Sequence, residues 1–332
     1  GASLGLDIEA DEPEAVVIAR DPAFGLAALT RLLGQLHRGA ALIATGCGAS
    51  AQKGTVALSR GALGYAAAIG DRLLFSAELR TRFEVVAYEL DGGKVRWRRD
   101  VGPADYDLVG VAVGPRRVWL ASTDGLLRSY SRETGERGPT WALGASATAV
   151  AISDDGRFLL SATNTGVLCE RRARDGALLQ CLVASESALT AISTRGDRIA
   201  TAAADGTVAL WSLPTLELVA RTRVSGSANA VALGPGGVVA IARGPGPLVR
   251  TPKIARREDE RGFPERDRNH AIVMWTPKET KNRVLLGHGG AITDLLWMED
   301  SSLLSSSWDR TIRRWLPGRQ GSRVVGRFPY LV

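Results

Sequence analysis

Cysteine and histidine are scarce in this chain, with three of each among 332 residues. A secreted domain framed by disulfides carries many more cysteines in a shorter chain. Cys47, Cys169 and Cys181 include no C-x-x-C pair of the kind zinc sites use. His37, His270 and His288 are scattered, so no metal site is expected. No apolar run approaches the roughly 18–20 residues of a spanning helix, which argues against a membrane protein of that type. No basic n-region with an apolar h-region opens the chain, so no secretory signal is expected. Ala44-Thr45-Gly46-Cys47 resembles a lipoprotein cleavage box, but it lies far into the chain behind a short apolar run. It reads as a strand entering a tight turn. These scarcities together point to a cytoplasmic compartment with all thiols free.

Lysine is also rare. Five of the 42 basic residues are lysine and the other 37 are arginine. Acid is concentrated at the start: residues 1–14 hold Asp7, Glu9, Asp11, Glu12 and Glu14 and no base. The net charge is +7, so the rest of the chain carries +12. A basic body of this kind attracts nucleic acid or acidic partners, or simply aids solubility. With 45% hydrophobic and 23% charged residues, the chain has ordinary globular composition and enough apolar material for a large core.

What the sequence does have is a repeat. Asp205-Gly206-Thr207-Val208-Ala209-Leu210-Trp211 and Asp309-Arg310-Thr311-Ile312-Arg313-Arg314-Trp315 share one plan. Each has an Asp in a tight turn, a β-branched strand, and a Trp six residues on. Asp124 to Tyr130 and Asn269 to Trp275 follow it, and Arg82 to Tyr88 and Thr165 to Arg171 are degenerate copies. The turns at 82, 124, 165, 205, 269 and 309 are spaced 42, 41, 40, 64 and 40 residues apart. A period of about 40, with short strands between Gly-rich turns, predicts four-stranded propeller blades. The long step places an insertion at about 243–269, between the second and third strands of one blade.

These motifs resemble the WD40-repeat β-propeller family. In the last blade Gly287-His288 matches the family's GH step, Ile292–Trp297 the first strand, and Ser305-Ser306-Ser307-Trp308-Asp309 the second strand and turn. Trp315 closes the third strand. The resemblance spans residues 64–328 as six blades. Val86 to Trp97 is also similar to the repeat of quinoprotein-type propellers, which share the four-stranded blade. The fold expected is therefore an all-β, WD40-like β-propeller, seven-bladed, in a single domain over 14–332 behind an acidic tail at 1–13.

The seventh blade is expected at about 14–60, from strands at 15–19, 26–33, 40–45 and 55–59. Asp21-Pro22 reads equally as a helix start, with Leu26, Leu29, Leu33 and Leu36 on one face and Gly39 as the stop.

The last blade brings together residue types that also serve hydrolases. The resemblance implies that His288, Asp309, Trp315 and a strand hydroxyl, Ser305 or Ser307, form a buried hydrogen-bond chain. A nucleophile needs exposure, an oxyanion hole and room for substrate, and a chain buried within a blade has none of these. In the Asp205 blade only Thr201, Asp205 and Trp211 of the set are present, because the preceding loop has no His. Gly244-Pro245-Gly246-Pro247 is no dinucleotide loop, since its two prolines deny the phosphate two backbone donors. No cofactor is expected.

Arginines cluster at 96/98/99, 171/172/174, 221/223 and 313/314. Charge on an outer strand blocks edge-to-edge pairing, and that role or a basic rim for nucleic acid would account for them. The insertion holds seven bases, Arg250, Lys253, Arg256, Arg257, Arg261, Arg266 and Arg268, with five acids among them. A loop this long is either a surface segment or an arm that docks a partner. The function expected is a non-enzymatic scaffold for protein–protein interaction, within a multi-subunit complex or a longer chain. The alternatives are a nucleic-acid-associated propeller and a quinoprotein-type enzyme.

Overall fold

Short β-branched and apolar runs, each ended by a turn residue, cannot extend into long strands. They stack instead as small antiparallel sheets. The computed structural model describes residues 83–89, 94–102, 106, 108–246, 269–279, 281–298, 300–316, 318, 319 and 321–327, and the backbone of five strands nearer the N-terminus.

Among the described residues five sheets have four strands each, in simple up-and-down order. The first comprises β8 (Leu108–Val113), β9 (Arg117–Ser122), β10 (Leu126–Ser131) and β11 (Arg137–Ala142). The second comprises β12 (Ala147–Ile152), β13 (Phe158–Thr163), β14 (Val167–Arg172) and β15 (Leu178–Val183). β16 (Leu189–Arg195), β17 (Arg198–Ala203), β18 (Thr207–Ser212) and β19 (Leu218–Arg223) form the third. β20 (Ser227–Leu233), β21 (Val239–Gly244), β22 (Ala271–Trp275) and β23 (Arg283–Leu285) form the fourth. β24 (Ile292–Trp297), β25 (Leu303–Ser307), β26 (Thr311–Trp315) and β27 (Arg323–Arg327) form the fifth. A further sheet has five strands: β3 (Thr55–Val56), β4 (Ala66–Gly70), β5 (Leu73–Leu79), β6 (Phe83–Glu89) and β7 (Val95–Gly102).

The first strands β8, β12, β16, β20 and β24 pack side by side in chain order, and β4 packs on β8. This is a β-propeller, with the first strand of each blade at the centre. Burial follows radius. β9, β13 and β17 read intermediate at the first residue and buried at the next five, whereas the outer strands β15 and β19 alternate exposed and half-buried. The cores lie between blades. Val85, Ala87 and Trp97 of one pack on Val111, Leu120 and Tyr130 of the next. At the narrow centre the strands are rich in alanine, and at Gly110 a Cβ would lie 2.9 Å from Val150 Cγ1. Close approach thus selects small residues at the axis and leaves the large ones further out.

The repeat turns at 124, 165, 205, 269 and 309 fall between the second and third strands of a sheet, as their spacing predicts, whereas residue 82 lies between β5 and β6, the third and fourth strands of the five-stranded sheet. The insertion likewise separates β21 from β22. Its residues 247–268 lie outside the described residues, and with them Arg250, Lys253, Arg256, Arg257, Arg261, Arg266 and Arg268.

The N-terminal region departs from expectation. β1 (Ala15–Ile18) and β2 (Ala41–Ala44) pair in parallel, Ala15 opposite Ala41. β3 joins the next sheet, Thr55 opposite Ala68. A seventh antiparallel blade is therefore not among the described sheets. Two strands of one up-and-down blade would neighbour each other in antiparallel order, so the parallel pair is a different arrangement. The strand or helix expected over 26–36 lies outside the described residues.

The thiols are a second correction. Cys169 on β14 and Cys181 on β15 are opposite each other and joined as a disulfide, not free. The facing pair follows from the hairpin, but a bulge between Glu170 and Arg171 puts Leu178 opposite Arg171 and not Arg172. The bond removes the support that free thiols lent to a cytoplasmic compartment. Among the described residues no helix is long and apolar enough to cross a membrane.

Candidate functional site

Antiparallel order sorts the turns of each blade. Connections from second to third strand, and from one blade to the next, open on one face of the ring. Those from first to second and third to fourth open on the other. His288 lies in the connection leading to β24 and Asp309 in the turn leaving β25, so the topology alone brings them to one end of the last blade.

There the side chains form one line. Trp315 Nε1 donates to Ser305 Oγ at 2.8 Å, Ser305 stands 2.7 Å from His288 Nε2, and His288 Nδ1 stands 2.8 Å from Asp309 Oδ2. Asp309 also accepts from the Gly289 amide at 2.9 Å and the Thr311 hydroxyl at 2.6 Å. Burial favours the neutral imidazole and pushes the His288 pKa down, against the pull of Asp309. Burial alone would raise the Asp309 carboxyl. The hydrogen bonds from His288, Thr311 and Gly289 outweigh it and hold the pKa at about 2. A neutral His288 then donates Nδ1–H to an ionised Asp309 and accepts the Ser305 proton at Nε2, and the Ser305 oxygen accepts from the indole. Each strong donor and acceptor in the line has its partner.

Of the two candidate hydroxyls the line uses Ser305. Ser307 donates to the Gly290 carbonyl at 2.9 Å and accepts from the Asp309 amide at 3.1 Å, which fastens the turn. His288, Ser305 and Ser307 are all buried. Without solvent access or a free oxyanion donor, this Ser–His–Asp set cannot act as a nucleophilic triad.

The Asp205 blade retains half the line. Trp211 Nε1 donates to Thr201 Oγ1 at 2.9 Å. Asp205 turns to its own strand and accepts from the Thr207 amide and hydroxyl at 3.0 and 2.9 Å.

The Asp124 blade has a substitute that sequence reasoning missed. Arg128, buried on β10, binds Asp124 Oδ2 at 2.5 Å and Ser122 Oγ at 2.6 Å, and its guanidinium lies 4.6 Å from the centre of the Tyr106 ring. Burial by itself would raise Asp124 and lower Arg128. The hydrogen bond between them reverses both shifts, so the pair stays ionised. Arg128 lies four residues after the turn aspartate, where the Asp205 blade has the apolar Ala209 and the last blade has Arg313.

Three of the clustered arginines, Arg96, Arg99 and Arg221, join neighbouring blades, and the others bond within their own. On β7, Arg96 pairs with Glu133 at 2.9 Å and Arg99 donates to the Thr134 carbonyl at 2.8 Å. Both partners sit in the next blade's outer turn, as does the Arg132 carbonyl that accepts from Trp97 Nε1 at 3.0 Å. Arg221 reaches the Ala184 carbonyl of the preceding blade at 3.3 Å. Arg171 bonds the Gly176 carbonyl, and Arg313 and Arg314 bond Ser322, Ser302 and Asp300 within their blade. Of these arginines, Arg96, Arg98, Arg172, Arg174, Arg223 and Arg314 are paired with carboxylates, and Arg99, Arg171, Arg221 and Arg313 donate to neutral oxygens. Among the described residues no group of three or more His, Cys, Asp or Glu is placed to hold a metal ion.

A family model described as "WD domain, G-beta repeat" matches the chain twice, at residues 176–212 and 279–315. The first stretch ends one residue past Trp211 and the second ends on Trp315, the line-closing tryptophans of their blades. Solved structures share the fold. "Crystal Structure of Mitotic Checkpoint Complex" matches with a TM-score of 0.62 and 16% identity over 78% of this chain and 76% of that one. "Crystal structure of RRP9 WD40 repeats" matches with 0.61 and 12% over 79% and 78%. "Structure of U3-55K" matches with 0.61 and 11% over 79% of each. At such identities the likeness is one of fold. No curated protein sequence matches the chain. The chain carries WD40 repeats on a WD40-type β-propeller.

Proposed function

We propose that the protein is a non-enzymatic scaffold that binds other proteins through the faces of its ring. The observation that carries this reading is the state of the enzyme-like constellation in the last blade. His288 and Ser305 are buried, the Asp309 side chain is 5% exposed, and the three are mutually satisfied and spent on fastening a blade. The fold that remains is a rigid frame whose surface loops vary freely, which suits recognition. One structure of similar fold is that of the mitotic checkpoint complex. Membership of a complex is therefore part of the proposal, as is a role for the charged insertion in docking.

The test is affinity purification of the full chain from its native source, with nuclease treatment and a wash near physiological salt. A protein recovered in fixed stoichiometry, which survives both, supports the reading. Recovery of nucleic acid alone, held at physiological salt, would transfer the proposal to the nucleic-acid alternative, because contacts that rest on counterion release fade steeply between about 50 and 200 mM salt.

A further inference from the structure

On the face opposite His288 and the insertion, the turn between β8 and β9 meets two turns of the next blade. They enclose a groove of about 600 Å³. Four arginines line it: Arg116, Arg157, Arg172 and Arg174. Its floor is apolar, made by Pro115, Phe158 and Leu179, the last 44% exposed. Two carboxylates temper the charge. Asp175 takes Arg172 at 2.9 Å and Arg174 at 3.8 Å, and Asp155 stands 3.8 Å from Arg157. Four cations against two anions leave the groove basic. Unlike the inter-blade arginines, these side chains reach no neighbouring blade in their ion pairs.

The sequence contains one segment of complementary chemistry. Residues 1–14 lie outside the described residues. They carry five acids and no base, and Leu4, Leu6, Ile8 and Ala10 alternate with Gly5, Asp7, Glu9 and Asp11. In an extended chain such alternation puts apolar side chains on one side and carboxylates on the other. That matches an apolar floor beneath a cationic rim. β1 begins at Ala15 and connects through β2 and β3 to β8, the strand that leads into Pro115 and Arg116. Eleven residues of extended chain span up to about 36 Å.

We propose that the acidic segment Leu4–Glu14 docks in this arginine groove of its own chain and covers it. The tail then occupies this groove, and a competing acidic peptide must displace it to bind there. This holds whether or not the opposite face serves a complex.

The test uses three forms of the full chain and a fluorescently labelled synthetic peptide of residues 1–14. The first form is unaltered. In the second, the five tail acids are replaced by their amides (Asp7→Asn, Glu9→Gln, Asp11→Asn, Glu12→Gln, Glu14→Gln). The third adds Arg116→Gln and Arg157→Gln to the second. A tethered tail competes at an effective concentration near the millimolar range. The peptide is therefore expected to bind the amide form about tenfold more tightly than the unaltered chain at 50 mM salt, and to lose binding to the third form. The proposal is overturned if the amide form does not bind, if both tails give equal affinity, or if the third form still binds. Should Arg116→Gln and Arg157→Gln shift the melt, Arg172→Gln with Arg174→Gln repeats the test from the other wall of the groove.

Discussion

The imidazole of His288 and the carboxylate of Asp309 meet at 2.8 Å inside the last blade, where burial keeps the imidazole neutral and the hydrogen bond from it helps hold the carboxylate ionised. Neither element positions them alone. His288 belongs to the segment that enters the blade and Asp309 to a turn two strands later, so the contact ties the blade's entry to its middle.

Removing either member leaves buried groups without partners. His288→Ala is expected to cost about 1–3 kcal/mol, since Ser305 loses an acceptor and Asp309 a donor. Asp309→Ala should cost a similar amount, and the double variant less than the two together, because both act on one line. Urea melts of the four proteins measure this. An unaltered midpoint for His288→Ala would falsify the line as a stabilising element.

Protonation gives a second readout. Folding lowers the His288 pKa below its ordinary value, so the unfolded chain takes up this proton first as pH falls below about 6.5. Stability from this site is therefore full above that pH and declines as acid is added. Asp309 acts in a lower window: its contribution is present above about pH 4 and is lost as pH falls through about 2. The unaltered protein should lose stability more steeply between pH 7 and 5 than His288→Gln, with His37 and His270 common to both. Parallel slopes would mean that His288 titrates normally.

The cysteines can be counted. With Cys169 and Cys181 joined, a thiol reagent added to denatured, unreduced protein is expected to find one free group, Cys47. After reduction it should find three. Three groups before reduction would restore the free pair and, with it, the argument for a reducing compartment.

The insertion should be dispensable for folding. β21 and β22 pair from Val239 opposite Trp275 to Arg243 opposite Ala271, so the hairpin needs only a turn beyond them. Replacing Pro247–Arg268 with a short Gly/Ser linker is expected to keep the melting temperature within a few degrees, because shortening a loop changes closure entropy by well under about 1 kcal/mol. The same change should weaken capture of a native partner. Full capture by a folded deletion variant would move the binding surface elsewhere on the ring.

Much of this architecture was written locally. An aspartate or its substitute at each turn, a β-branched strand after it and a period near 40 specify hairpins and their count, because turn chemistry and two-residue alternation act within a few residues. The same locality sets Cys169 opposite Cys181 across the hairpin of β14 and β15. Tertiary structure decided what distance and neighbours control. Ser305 and Ser307 are two residues apart on one strand, and only the position of the imidazole selects Ser305. Arg96 and Arg99 looked like edge charges, yet they fasten Glu133 and Thr134 about 35 residues away, across a boundary between blades. Arg128 took the place of a histidine because Asp124, Ser122 and the Tyr106 ring converge on it. The parallel pairing of β1 with β2 also depends on where the chain returns. Hairpins are set by neighbours in sequence, while the joints between them are set by packing, which a single sequence does not spell out.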